Sequence, residues 1–177
     1  MKNYLFKSNR LGFRNWLDTD LENLAAINAD KEVMEFFPST RTREETLTFI
    51  QRMQKQYEEK GYCYFAVDTL DDDNLIGFIG LSEQNYVADF TPCIDTGWRL
   101  AKSAWNKGYA TEGAKRCLEF GFEALGLDKI YAIAPVVNTK SQRVMLKIGM
   151  RKVKIFDHPQ LLDNASLRKC LLYVINK

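Results

Sequence analysis

The chain has 177 residues, 46% hydrophobic and 27% charged, enough to bury one core and too few for two comfortable ones. Its 25 Lys and Arg against 23 Asp and Glu leave a net charge of +2, without the strongly basic face of a dedicated nucleic-acid binder. No apolar run approaches the roughly 18 residues of a membrane helix, and MKNYLFKSNR lacks the apolar stretch of a secretory signal. Residues 1–177 are therefore expected to form a single cytoplasmic domain with no nucleic-acid or membrane partner.

In chain order, Leu11, Phe13 and Trp16 suggest a first strand. Thr19-Asp-Leu-Glu22 reads as a capping box opening a short helix through Ile27. After the loop MEFFPST, a second capping box, Thr42-Arg-Glu-Glu45, opens a longer helix with Leu47, Ile50, Met53 and Tyr57 on one side, ending at Gly61. YCYFAVDT (62–69) and LIGFIGLS (75–82) are strands joined by the polar turn LDDDN, a hairpin. Residues 83–92 are irregular, and CIDTGWRL (93–100) is a further strand. Ala110, Ala114, Cys117, Leu118, Gly121, Phe122 and Leu125 give helical spacing from about Tyr109 to Leu125. KIYAIAPV (129–136) is continuously apolar, as a strand covered on both faces would be. Asn138 caps a helix over about 139–148 that stops at Gly149, and MRKVKIFD and LRKCLLYVIN are final strands around the loop HPQLLDNAS. The fold class is α+β with a mixed sheet, in which 93–136 makes a strand–helix–strand crossover and one parallel pair.

Cys63, Cys93, Cys117 and Cys170 lie far apart without a CxxC pair, and His158 is the single histidine. That spacing does not make a metal site, and the cysteines read as buried thiols behaving as small hydrophobes.

WNKGYATEG (105–113) joins a strand to the start of a helix. The free N–H groups of a first helical turn, with the positive end of the helix dipole, attract anions. Gly108 permits backbone conformations that a Cβ would obstruct, Asn106 and Lys107 add side-chain contacts, and Thr111 offers a hydroxyl. Neither GxxxxGK[ST] nor GxGxxG occurs. From these residues alone the loop is a phosphate cradle or a tight strand-to-helix turn.

WNKGYATEG after DTGWRL and before NTKSQRVMLKIGM resembles the GNAT N-acetyltransferase superfamily, in its branch of ribosomal-protein N-terminal acetyltransferase-like proteins. NRLGFRNW, MEFFP, LIGFIGL, FTPCIDTGWRL and FDHP extend the likeness along nearly the whole chain. The resemblance implies a mixed, mostly antiparallel central sheet flanked by helices, with a splayed central strand pair. It implies that acetyl-CoA is the co-substrate, with its pyrophosphate on the amides of Trp105, Asn106, Lys107, Gly108, Tyr109, Ala110 and Thr111. It places the pantetheine arm along Asp95–Leu100 like an added strand and gives CoA contacts to Asn138 and Ser141. Trp105 stands where many members carry Gln or Arg. Met145 stands where many carry a tyrosine general acid, which leaves Ser141 as the nearest hydroxyl to protonate the departing thiolate.

Acetyl transfer to an amine needs a neutral nucleophile, a stabilised oxyanion and a proton for sulfur. Backbone N–H groups near Arg99 and Leu100 are expected to hold the oxyanion. Glu83, at the end of the strand beside the splayed one, is the first choice of base, ahead of Asp95 and Asp89; a solvated strand-end carboxylate is its plain structural reading. Glu112 is an ordinary first-turn acid. Phe36, Phe37, Tyr64 and His158 are expected around the acceptor, or else as core-edge aromatics and a structural loop histidine. The expected activity is direct transfer to a primary amine, either a protein N-terminal α-amine or a small molecule, with a non-catalytic acetyl-CoA sensor as the alternative. No metal is expected, and the chain is expected to be a monomer or homodimer.

Overall fold

The computed structural model describes residues 3–177. Eight strands, β1 (Phe6–Lys7), β2 (Leu11–Arg14), β3 (Tyr64–Thr69), β4 (Leu75–Gln84), β5 (Cys93–Leu100), β6 (Lys129–Pro135), β7 (Arg151–Asp157) and β8 (Lys169–Asn176), form one sheet in the order β1-β2-β3-β4-β5-β6-β8-β7. All neighbours are antiparallel except β5 and β6. That parallel pair is joined at one register position, Asp95 opposite Tyr131. Four helices complete the fold: α1 (Leu21–Ala29), α2 (Arg43–Lys60), α3 (Tyr109–Glu123) and α4 (Thr139–Lys147). This is the α+β, mixed and mostly antiparallel sheet that the resemblance implied.

Strand alternation decides which helix covers which face. Ile79 and Leu81 of β4 point to α3, where Cβ atoms on Gly113 and Gly121 would press within 3.1 Å of them. Ser82 of β4 points the other way and donates to Gln56 of α2 at 2.9 Å. Phe13, Phe65, Ile79, Leu81 and Ile130 are completely buried and form the centre of the core. The four cysteines are all buried and free.

The second capping box forms as read: Glu45 N donates to Thr42 Oγ1 at 3.2 Å, and Thr42 N donates to Glu45 Oε2 at 2.8 Å. The first does not. Residues 18–20 form a turn of 3₁₀ helix, α1 starts at Leu21, and it is Asp20 that accepts the Leu17 N–H at 2.8 Å. The reason is a buried ion cluster. Arg14 of β2 donates to Asp20 Oδ1 and Oδ2 at 2.8 and 2.6 Å, and to Asp68 Oδ1 and Oδ2 at 3.0 and 2.6 Å. With a further bond to the Asn15 carbonyl, all five guanidinium N–H groups are used. This anchoring, not Thr19, fixes where α1 begins.

Three further expectations change. The first strand stops at Arg14, and Trp16 is buried outside it with Nε1 donating to the Tyr64 carbonyl at 2.7 Å. A two-residue strand, β1, precedes it. β6 is covered on one face only: Ile130, Ala132 and Ala134 are buried, whereas Tyr131 and Ile133 are half-buried because the sheet opens beside them.

Replacing one partner of a satisfied buried ion cluster leaves uncompensated charge, at about 3–5 kcal/mol. Arg14→Met is therefore expected to lower stability by that amount in urea unfolding, with Asp20 and Asp68 left buried without the guanidinium. A loss below about 1 kcal/mol would show that the cluster does not anchor α1.

Candidate active site

Beyond Asp95–Tyr131 the two parallel strands part, and a cleft of about 1340 Å³ passes between them. One arm is walled by Trp105, Asn106, Gly108, Tyr109, Ala110 and Thr111 with Asn138 and Ser141 of α4. The other is walled by Phe36, Phe37, Phe49, Tyr64 and Phe78. Asp95, Gly97, Arg99 and Leu100 lie between them, so β5 is the divide.

The loop ahead of α3 owes its shape to two left-handed residues, Asn106 (φ 60°) and Gly108 (φ 81°). A Cβ on Gly108 would only touch Arg10 Nη2 at 3.4 Å, so glycine is required here for its backbone angle rather than for space. The loop is latched from outside. Glu112 in the first turn of α3 accepts from Ser8 Oγ at 2.7 Å, from Arg10 N at 2.8 Å and from Arg10 Nε at 2.7 Å, while Arg10 Nη1 reaches the Lys107 carbonyl at 3.0 Å. Glu112 is thus neutralised where a free carboxylate would repel an anion from the helix N-terminus. Arg10 also lies over the Tyr109 ring, 4.6 Å from its centroid. The sequence reading missed Arg10, although Ser8 and Arg10 sit together in the β1–β2 turn.

Lys107 contributes that carbonyl, but its side chain is exposed and does not line the cleft. The cations on this arm come instead from α4: Lys140, Arg143 and Lys147 line the cleft. Lys140 Nζ lies 4.7 Å from the centroid of Trp105, whose indole N–H donates to the Leu100 carbonyl at 2.9 Å. Trp105 therefore ties the end of β5 to the start of α4. Asn138 Oδ1 accepts the Ser141 N–H at 3.0 Å as the cap of α4, and Ser141 lines the cleft from that first turn. Met145 is buried in the core beneath it.

The expected base is not in the cleft. Glu83 sits on β4 next to Gln84, and the twofold alternation of a strand sends the two side chains to opposite faces. Gln84 lines the cleft, whereas Glu83 pairs with Lys60 at the end of α2 (2.5 Å), which holds its carboxyl below the usual range. Asp89 is likewise engaged, by Lys154.

Asp95, also among the candidate carboxylates, does line the cleft. It is 7% exposed at the point where β5 and β6 part, and burial pushes its carboxyl up to about 6. Tyr64 Oη donates to Asp95 Oδ1 at 2.6 Å and Gln84 Nε2 donates to the same oxygen at 3.1 Å. Tyr64 begins on β3 and reaches across β4 to β5, where Gly97 leaves room for it: a Cβ there would meet the ring at 3.0 Å. Burial raises the Tyr64 phenol well above its ordinary value, so it stays a donor. Tyr86, in the loop after β4, also lines the cleft; its hydroxyl is buried without a partner. His158 packs against Tyr86 with ring centroids 4.4 Å apart and planes tilted by 47°, and its Nδ1 accepts the Gln160 N–H at 3.2 Å. Burial lowers its pKa, so it is neutral at neutral pH. The neighbouring Asp157 pairs with Arg168 at 2.8 Å instead.

The raised carboxyl of Asp95 has a consequence for stability. Below about pH 4 it is protonated folded and unfolded; above about 6 it is charged in both states, and the fold bears the burial of that charge. Asp95→Asn keeps an oxygen for Tyr64 and Gln84 and removes the charge. Its melting temperature is expected to gain on the wild type as pH rises from 4 to 7, by the equivalent of about 2–3 kcal/mol. A difference that stays flat with pH would show that Asp95 titrates as an exposed carboxylate.

Residues 10–151 match the family model of the acetyltransferase (GNAT) domain. The uncharacterised N-acetyltransferase YnaD of Bacillus subtilis (strain 168) is 34% identical over 148 residues, which are 83% of this chain and 82% of that protein. The fold matches the ribosomal-protein-S5-alanine acetyltransferase of Vibrio fischeri with a TM-score of 0.76 at 18% identity, over 97% of this chain and 95% of that one. It matches the spermidine N-acetyltransferase of Vibrio cholerae, solved with CoA and spermine, with a TM-score of 0.73 at 22% identity, over 94% and 95%. At these identities the two structures establish the fold and no acceptor. The splayed pair, the latched loop and the family match over most of the sequence lead to one assignment: the chain belongs to the GNAT family of acetyl-CoA-using N-acetyltransferases.

Proposed function

We propose that this chain, acting as one domain over residues 1–177, transfers acetyl directly to a primary amine of low pKa, with Asp95 as the proton acceptor. The supporting observation is the buried carboxyl of Asp95, raised to about 6 at the meeting point of the two arms of the cleft. An α-ammonium near 7.7–8.0 is about two units above such a base, whereas a lysine near 10.4 is more than four above it. The acceptor is thus an α-amine or a comparable amine, on a protein N-terminus or a small molecule, and the ribosomal-protein branch is one case of the first kind.

The cleft suits acetyl-CoA. The left-handed pair at Asn106 and Gly108 presents the α3 N-terminus, the loop's own carboxylate is neutralised by Arg10, and α4 supplies Lys140, Arg143 and Lys147. Residues 105–111 would hold the pyrophosphate with these cations around it, with β5 alongside the pantetheine arm. When bound, acetyl-CoA supplies the thioester from which the acetyl group leaves. The chain's own residues handle protons and charge. Asp95 receives the proton of the incoming ammonium, while Tyr64 and Gln84 hold its carboxylate in place. The backbone N–H of Leu100, on the edge of β5 turned away from β4, stabilises the oxyanion. The second proton, released by the nitrogen as the amide forms, passes through the Ser141 hydroxyl on α4 to the departing sulfur, with Tyr86 as another free hydroxyl on the cleft wall.

In the wild type kcat/KM is expected to rise with pH through an acid limb near 6. Asp95→Asn is expected to lose that limb and about 10²–10⁴-fold in kcat, while Glu83→Gln stays within about twofold of wild type. A pH profile unchanged by Asp95→Asn would remove the assigned base.

Calorimetric titration with acetyl-CoA, against dephosphorylated pantetheine, separates the remaining readings. Micromolar affinity for the first and little for the second locates the binding energy at the loop and α4. Binding without release of CoA thiol over a broad amine panel would instead favour the sensor.

A further inference from the structure

On β5, Asp95, Gly97 and Arg99 share one face by strand alternation. That face holds the acceptor arm, and Arg99 is its least expected member. Its guanidinium carbon lies 4.1 Å from the centroid of Phe37 and 5.2 Å from that of Phe78, the residue opposite it on β4. Nη1 donates to Asn28 Oδ1 at 2.8 Å, and Nε is buried with no partner. Burial lowers its pKa to about 10, so it is cationic at neutral pH, and its charged neighbour is another cation, Arg41.

The carboxylates of the same wall are already engaged. Glu45 is held by Arg41 at 3.0 Å, Glu32 by Lys102 at 2.5 Å, and Asp95 by Tyr64 and Gln84. A second guanidinium, Arg52, lines the same arm over Phe49. Burying a guanidinium without a counter-charge is costly, and two aromatic faces offset only part of that. An unsatisfied planar fork in a cleft suits a carboxylate, which it can hold through two parallel hydrogen bonds.

We infer that the acceptor carries a carboxylate as well as its amine, and that Arg99 binds it. The inference rests on the proposed function and specifies its acceptor. Four residues at about 3.3 Å each put the Cα atoms of Asp95 and Arg99 about 13 Å apart. An acceptor with its amine and carboxylate several bonds apart suits that spacing: a dipeptide-like molecule, or a peptide N-terminus with an acidic residue close behind it. A polyamine would bring a second ammonium against Arg99 and Arg52.

The test compares matched acceptors by release of CoA thiol. One arm sets dipeptides against their C-terminal amides. A second sets C-terminally amidated peptides with Asp or Glu at position two or three against the same peptides with Asn or Gln. Spermidine is included in both. The carboxylate member of a pair is expected to show roughly 10- to 100-fold higher kcat/KM, mainly through KM, and the arm with the larger ratio identifies the source of the carboxylate. Arg99→Met is expected to abolish the preference and Arg99→Lys to retain part of it. Because the wild-type comparison needs no variant, a misfolded Arg99→Met leaves the test intact. Equal rates within pairs, preference for spermidine, or no carboxylate-bearing amine acetylated would overturn the inference, as would a shift in KM for acetyl-CoA with the pair preference intact. Failure of the wild type to bind acetyl-CoA by calorimetry would be a different result, removing the proposed function and this inference with it.

Discussion

The single join between β5 and β6, at Asp95 and Tyr131, is the constraint on which the cleft depends. Parallel neighbours need a crossover, and α3 provides it on one face of the sheet. Had the ladder continued, Gly97 to Leu100 would have bonded to β6 and the sheet would have closed. Because it stops, the strand ends diverge, and the N-termini of α3 and α4 stand beside the gap. The opening also explains why β6 is less buried than its apolar sequence suggested. Ile133 and Pro135 face the cleft rather than a second layer.

Much of this was legible because the signals were local. Thr42 and Glu45 each satisfy the other's backbone N–H, an arrangement complete within four residues. Gly108 marks a left-handed turn before an amphipathic helix, and that turn is where it was expected. The same local logic failed at Thr19, where the sequence offered a capping box and a distant partner, Arg14, drew Asp20 inward. Burial of a three-member ion cluster outweighs one capping hydrogen bond, worth about 1 kcal/mol.

The base illustrates what single-strand reasoning does not reach. Glu83 and Asp95 were both visible as carboxylates at strand ends. Which one enters the cleft depends on the β4–β5 register, in which Ser82 lies opposite Asp95 and Glu83 opposite Ile94. One residue of slip would have exchanged the faces. Tyr64, expected beside an acceptor, lines that arm of the cleft and is also hydrogen-bonded to Asp95. The signal that could have found this contact is Gly97, a small residue on β5 that leaves room for an aromatic ring across the sheet.

The two internal arginines show how the protein separates stability from chemistry. Arg14 spends all five donors on two carboxylates and a carbonyl, so nothing in its surroundings is left to react. Arg99 is cushioned by Phe37 and Phe78, bonded once to Asn28, and otherwise unsatisfied. Asp95 is its counterpart in charge, buried enough to lift its pKa and still on the wall of the cleft. A direct Asp95–Arg99 ion pair would have relieved both and quenched both, pulling the carboxyl back down and filling the guanidinium. Four residues of extended strand separate them, so both charges remain available to a molecule that enters the cleft.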